Sequence, residues 1–247
     1  MRLEGKTAVV TGGASGFGAG IARKFVNEGA RVMVVDINAE GAAELATELG
    51  NGAVSQVCNV ADGDSVTKLA EAVQTRFGAL DILVNNAGVT HKPTPLEDVS
   101  EEDFDRVFAV NCKSVYLLAR AFVPAMKGRG GAILNVASTA GISPRPNLNW
   151  YNASKGWMVT ATKTMAVELA PSGVRVNAIC PVAGETPLLS SFMGEDTPEM
   201  RAKFLSTIPL GRFSTPEDMG NAAAFLCSEE AGMITGVAME VDGGRCI

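Results

Sequence analysis

Thr7-Ala-Val-Val-Thr11-Gly-Gly-Ala-Ser-Gly-Phe-Gly18 runs from an apolar, β-branched segment into a glycine-rich turn. A helical pattern follows, with Ile21, Ala22, Phe25 and Val26 on one face, up to Gly29. Strand, turn and helix in this order suit a loop that receives a phosphate. Gly12 permits a tight turn, Gly16 lets the backbone approach a pyrophosphate, and Gly18 lets the helix pack close to the sheet. The glycines are spaced G-x-x-x-G-x-G, which differs from the G-x-G-x-x-G fingerprint.

Outward from that loop, Ala30–Asp36 reads as a second buried strand, with Asp36 at its C-terminal end, 24 residues after Gly12. A carboxylate there hydrogen-bonds the ribose hydroxyls of an adenosine and repels a 2′-phosphate. Ile37 follows it and Ser15 occupies the loop, so no basic residue compensates; NAD is expected over NADP. Strands are also expected at Ala53–Cys58, Leu80 onward into Asn85-Asn86-Ala87-Gly88, Gly131–Ala137, Val174–Ile179 and Val237–Val241. Helices are expected at Ala39–Gly50, Asp64–Phe77, Ser100–Val110, Cys112–Lys127, Tyr151–Ala170 and Pro216–Ser228, with Asn111 as a kink between two of them. The alternation predicts an α/β fold: a doubly wound, Rossmann-type parallel sheet of seven strands with helices on both faces. Residues 1–247 show no repeat, charge block or linker, so a single domain is expected, with its least regular part at Gly184–Pro209.

Bulk properties narrow the function. The net charge of −6 and pI near 5.0 recommend neither nucleic acid nor an anionic membrane as partner. Met1-Arg-Leu-Glu-Gly-Lys is too polar for a signal peptide, and no apolar run long enough to span a membrane is apparent. Five scattered cysteines without C-x-x-C read as buried thiols in a reducing, cytoplasmic setting rather than as a metal or disulfide framework. His91 is the only histidine, which removes most metal sites; it is read as a surface residue.

The second informative stretch is Ser138 through Lys155. Tyr151 and Lys155 are four apart on a helix and so share a face. An ammonium beside a phenol favours the phenolate, and the lysine is therefore expected to lower the tyrosine pKa. Ser138 ends a strand from which it can reach the same crevice.

Thr11-Gly12-x-x-x-Gly16-x-Gly18, Asn85-Asn86-Ala87-Gly88, Asn111, Ser138, Tyr151-x-x-x-Lys155 and Pro181 stand in the order of the compact short-chain dehydrogenases/reductases. The resemblance covers essentially the whole chain and is strongest to branches called 3-oxoacyl-(acyl-carrier-protein) reductases and glucose 1-dehydrogenases. It implies Tyr151 as general acid/base, Ser138 as hydrogen-bond partner of the substrate oxygen, and Lys155 as holder of the nicotinamide ribose and modulator of Tyr151. Asn111 would support a water through which the proton leaves. It further implies a cofactor site of Gly12, Ser15, Gly16, Phe17, Gly18, Asp36, Ile37, Asn59, Val60, Asn86, Ala87, Gly88, Tyr151, Lys155, Pro181, Ala183 and Thr186. Two departures stand out. Asn59 replaces a common acidic residue but can still accept a bond from an adenine amino group. Pro181-Val182 replaces Pro-Gly, which bears on the turn that places Ala183 to Thr186.

The expected activity is interconversion of a secondary alcohol and a ketone with NAD(H). Alternatives are an NADP(H)-dependent reductase of 3-oxoacyl thioesters or a sugar or polyol dehydrogenase. Epimerases and dehydratases on related folds usually append a substrate domain, a regulator would lack the Tyr or Lys, and a hydrolase using Ser138 would need G-x-S-x-G. The substrate is expected against Ser138, Ala140, Arg145, Trp150, Phe192 and Met193, the last two as a lid within a segment at about 184–212. Arg145 could meet a carboxylate, although a loop arginine is more often solvated. Trp157, Val159, Met165 and Val167 on one long helix, with Val115, Tyr116 and Leu118 on another, leave apolar residues around most of each circumference. The pattern, and the family likeness, point to a homotetramer.

Overall fold

The architecture follows from a computed structural model that describes residues 1–194 and 196–247, with the side chain at position 51 outside the description. Position 195, within the expected substrate segment, also lies outside it. Seven strands form one sheet: β1 (Thr7–Thr11), β2 (Arg31–Asp36), β3 (Ala53–Val57), β4 (Ile82–Asn85), β5 (Gly131–Val136), β6 (Val174–Pro181) and β7 (Ala238–Val241). Their order is β3-β2-β1-β4-β5-β6-β7, and every pairing is parallel.

Parallel strands need covered faces on both sides, and their residues alternate between two cores. Ala8, Val10, Val32, Val34, Ile82 and Val84 pack under α1 (Gly16–Asn27), α2 (Ala39–Leu49) and α9 (Pro216–Cys227). Val9, Met33, Val35, Leu83 and Ile133 face α3 (Gly63–Phe77), α5 (Ser114–Met126) and α6 (Asn149–Leu169). β1 lies between β2 and β4, so the chain reverses its winding there, and the crevice above that point is where doubly wound sheets bind ligands.

Several boundaries differ from expectation. β4 starts at Ile82 rather than Leu80. β6 runs two residues past Ile179, because Cys180 and Pro181 still pair with Glu240 and Val241. α4 (Glu101–Phe108) and α5 are joined through Asn111 by a π-helical turn, Ala109–Lys113, so the kink lies inside one continuous helical run. That run, Glu101–Met126, has a stretch of mean hydropathy 1.2 and by length and composition alone is long and apolar enough to cross a membrane, although no single unbroken apolar run marks it in the sequence. Here its Val107, Leu118, Phe122 and Met126 are buried in the protein. The expected irregular segment holds two short helices, α7 (Leu189–Met193) and α8 (Pro198–Leu205), the latter capped by Thr197 on the Met200 amide.

Apolar residues go round α5 and α6 less completely than expected. Leu118 is buried in its own core and has no outward face. Tyr116 on α5 and Trp157 and Val167 on α6 are exposed, Val167 at 79%.

Candidate active site

A cavity of about 540 Å³ opens above the C-terminal strand ends, lined by the glycine turn and Asp36 as well as by Ser138, Tyr151 and Lys155. The turn is held by its neighbour strand. Asn86 donates from Nδ2 to the carbonyls of Thr11 (2.8 Å) and Gly12 (3.0 Å), and the Thr11 hydroxyl accepts from the Asn86 and Ala87 amides. Gly12 (φ +62) and Gly16 (φ +52) adopt backbone geometry that L side chains rarely take. A Cβ on Gly18 would collide with the Gly12 carbonyl and the Asn86 amide, so Gly18 acts by close packing and is not itself in the lining. Ser15 is the N-cap of α1, yet its hydroxyl makes no cap bond and lines the cavity.

Asp36 is fixed by backbone amides: Oδ2 accepts from Ala14 and Oδ1 from Asn38, each at 3.0 Å. Ile37 beside it is 70% exposed. Among the described lining residues the cations are Lys155, Arg106 and Arg145, none of them from β2 or the turn. Asn59 spends one lone pair on the Ala61 amide and lines the cavity with Val60. Ala87, Gly88, Pro181, Ala183 and Thr186 line it too, and Thr186 lies against Gly16. A fixed carboxylate at one end and a glycine-rich turn beside a helix N-terminus form a receptor that fits a dinucleotide.

At the other end Tyr151 and Lys155 are both buried on α6. Lys155 donates from Nζ to the Val136 carbonyl (2.9 Å) and stands 5.8 Å from the centre of the Tyr151 ring. The expected lowering of the tyrosine pKa is not what this geometry gives. Burial pushes Tyr151 up to about 12, opposed by a hydrogen bond with the Ser138 hydroxyl. Burial likewise pushes Lys155 down to about 8. Loss of water penalises phenolate and ammonium alike, and it is the largest cause of both shifts.

Asn111 is fully buried and absent from the lining. Its Oδ1 accepts from the Val89 amide, and its Nδ2 donates to the Val89 carbonyl and the Ser154 hydroxyl, all at 2.9 Å. The side chain thus ties a cavity wall to α6. Of the expected substrate residues, Ser138, Ala140, Arg145 and Phe192 line the cavity, and the Phe192 ring lies 5.1 Å from that of Tyr151. Trp150 does not. It packs edge-on against Phe104, and its Nε1 donates to the Leu96 carbonyl. Met193 is no lid either; it is buried with Val182, Leu189, Ile208 and Phe213 in a small separate core. Val182, the departure from Pro-Gly, is therefore an anchor for the segment that follows. His91, read as a surface residue, is buried with Nδ1 2.8 Å from the Lys92 carbonyl, and it is not in the lining. Leu188 and Phe204, within the expected segment at about 184–212, and Leu148, between the expected Arg145 and Trp150, line the cavity as well, whereas Arg106 lines it from outside the expected stretches. Phe204 shows only as an apolar position on α8, whose cap Thr197-Pro198 is the available signal. No metal-ligating cluster occurs among the described residues.

A family model described as Enoyl-(Acyl carrier protein) reductase matches residues 12–245. The 4-formylbenzenesulfonate dehydrogenase of Comamonas testosteroni is 50% identical, the match covering 100% of both chains. The 3-oxoacyl-(acyl-carrier-protein) reductase of Thermotoga maritima is 42% identical, again over 100% of both. The crystal structure of 3-ketoacyl-(acyl-carrier-protein) reductase from Brucella melitensis complexed with NADH superposes with a TM-score of 0.94 at 50% identity, covering 99% of this chain and 100% of that one.

Proposed function

Because this chain belongs to the short-chain dehydrogenase/reductase family of nicotinamide-dependent oxidoreductases, we propose that it interconverts a secondary alcohol and a ketone, with NAD(H) preferred over NADP(H) and Tyr151 passing the proton. The observation that carries the reading is one cavity with Ser138, Tyr151 and Lys155 at one end and Asp36 at the other. The bound nicotinamide supplies or accepts hydride. Gly12, Ser15 and Gly16 would hold its pyrophosphate, Asp36 its adenosine ribose and Lys155 its nicotinamide ribose. Tyr151 keeps its proton at neutral pH because burial holds its pKa up, and it is therefore ready to donate to a carbonyl oxygen. Ser138 orients that oxygen from the side of β5. The apolar seat of Tyr151 also keeps bulk water from competing for the proton.

Residues 1–247 act as one catalytic domain, with residues 184–212 shaping the substrate end. Its four buried cysteines and the half-buried Cys246 are unpaired, as suits a reducing cytoplasm. Chains pair through the exposed Tyr116, Trp157 and Val167 of α5 and α6, and a second two-fold contact completes a tetramer. Light scattering is expected at about four times the 25.6 kDa chain mass, and Val167→Glu should lower it. The test of the reaction is kcat/KM over a panel of ketones and secondary alcohols with each cofactor. Turnover of several ketones with NADH is expected; no turnover of any, or equal use of NADPH, would count against the reaction or the cofactor preference respectively.

A further inference from the structure

We propose that Arg145 binds an anionic group, a carboxylate or a sulfonate, carried by the substrate on an apolar body; this rests on the dehydrogenase reading above and specifies its substrate class. Two arginines line the cavity, and the chain treats them differently. Arg106 is committed: its Nη2 donates to the Thr90 carbonyl (3.1 Å) and pairs with Asp103 (2.6 Å). Among the described residues the Arg145 guanidinium has neither a carboxylate nor a hydrogen-bond acceptor. It lies over the Phe204 ring, 4.4 Å from the centroid. A ring face attracts the cation but accepts none of its five in-plane N–H donors.

A second guanidinium stands nearby. Arg245 reaches the Ser143 hydroxyl at 3.5 Å, and its Nε is buried without a partner among the described residues. Burial, and after it repulsion by Arg245, holds Arg145 below the usual guanidinium range. Two cations are thus brought together in a chain of net charge −6 with no described carboxylate in ion-pair reach of either. Arg145 is half-buried, so its charge has lost part of its water without gaining a partner, and a planar fork pairs best with a two-oxygen anion. The same cavity is lined by Phe204 against Arg145, Phe192 against the Tyr151 ring, and Leu148. That wall fits a flat apolar body, whereas a neutral polyol would leave the guanidinium edge unpaired. Asn152 holds the Arg145 carbonyl at 2.7 Å, a main-chain bond that any substitution at position 145 retains.

The experiment compares 4-acetylbenzoate, 4-acetylbenzenesulfonate and neutral 4-methylacetophenone with NADH. The kcat/KM of one or both anionic ketones should exceed the neutral one by tenfold or more, and which of the two gains separates carboxylate from sulfonate recognition. Arg145→Gln should bring that ratio near one, and Arg145→Lys should keep part of it. Calorimetry on the NADH complex of Tyr151→Phe reads binding without turnover, using benzoate and benzenesulfonate against benzamide. Anion-selective binding that Arg145→Gln abolishes, with none of the ketones reduced, would uphold the anion site and overturn the ketone reading. Turnover of all three ketones at similar kcat/KM would overturn the anion site and leave the ketone reading standing. Equal binding of benzamide and the two anions, or no binding of any, also overturns it. If Arg145→Gln does not fold, the wild-type ratio and Arg145→Lys decide.

Discussion

The two ends of the cavity are built on different principles. The cofactor end hangs on strand termini: β1 is buried throughout, Thr11 and Asn86 lock the turn, and Gly18 has no room for a single methyl group. The substrate end is a segment after β6 with two short helices, of which α8 buries no residue fully. Its stability rests on the small core of Val182, Leu189, Met193, Ile208 and Phe213. A rigid holder suits a part common to every turnover. A lightly anchored wall can change its side chains, and so its substrate, without disturbing the sheet.

That contrast can be broken at the chemistry itself. Tyr151→Phe removes the proton and keeps the ring, so kcat should fall about a thousandfold, while NADH titrated by fluorescence should bind nearly as before. The same methyl group added at each end sharpens the comparison. Gly18→Ala forces a backbone collision and should cost about 3 kcal/mol in chemical denaturation. Gly211→Ala, at φ +69 with nothing within 4 Å of its Cβ, meets only backbone strain, about 1–2 kcal/mol. Equal losses would erase the distinction. Asp36→Ala with Ile37→Arg should shift the NADH to NADPH ratio of kcat/KM by tenfold or more, about 1.4 kcal/mol. Smallest in its effect on turnover is Val182→Ala, which removes two methylene equivalents of buried packing, about 1.6 kcal/mol. It should appear as a raised KM for ketone with an unaltered Kd for NADH.

Sequence was most informative where function needs a backbone rather than a side chain. The glycine turn could be read because only glycine fits, and Asp36 because strand length fixes its place. Tyr151 and Lys155 followed from helical spacing. Trp150 was misplaced because it was treated as part of a loop. With α6 starting at Asn149, one residue turns the side chain about 100° away from Tyr151. His91 gave no signal, since a lone residue in a proline-flanked loop has no periodicity to reveal burial. The pKa order was not legible either, because desolvation depends on packing that spacing does not encode. Phe204 and Arg145 meet across 59 positions of chain, and nothing local announces such a pair.

The seat of α1 has a consequence for synthesis. Gly20 packs so closely on Pro216 that a Cβ would overlap its carbonyl, and a Cβ on Gly220 would lie 2.8 Å from the Gly20 carbonyl. In synthesis α1 therefore finds its tightest neighbour 200 residues later. At ordinary translation speeds that is about 10–40 s during which Ile21 and Phe25 lack the α9 side of their cover. The nascent chain can begin its sheet early, but only α9 seals α1.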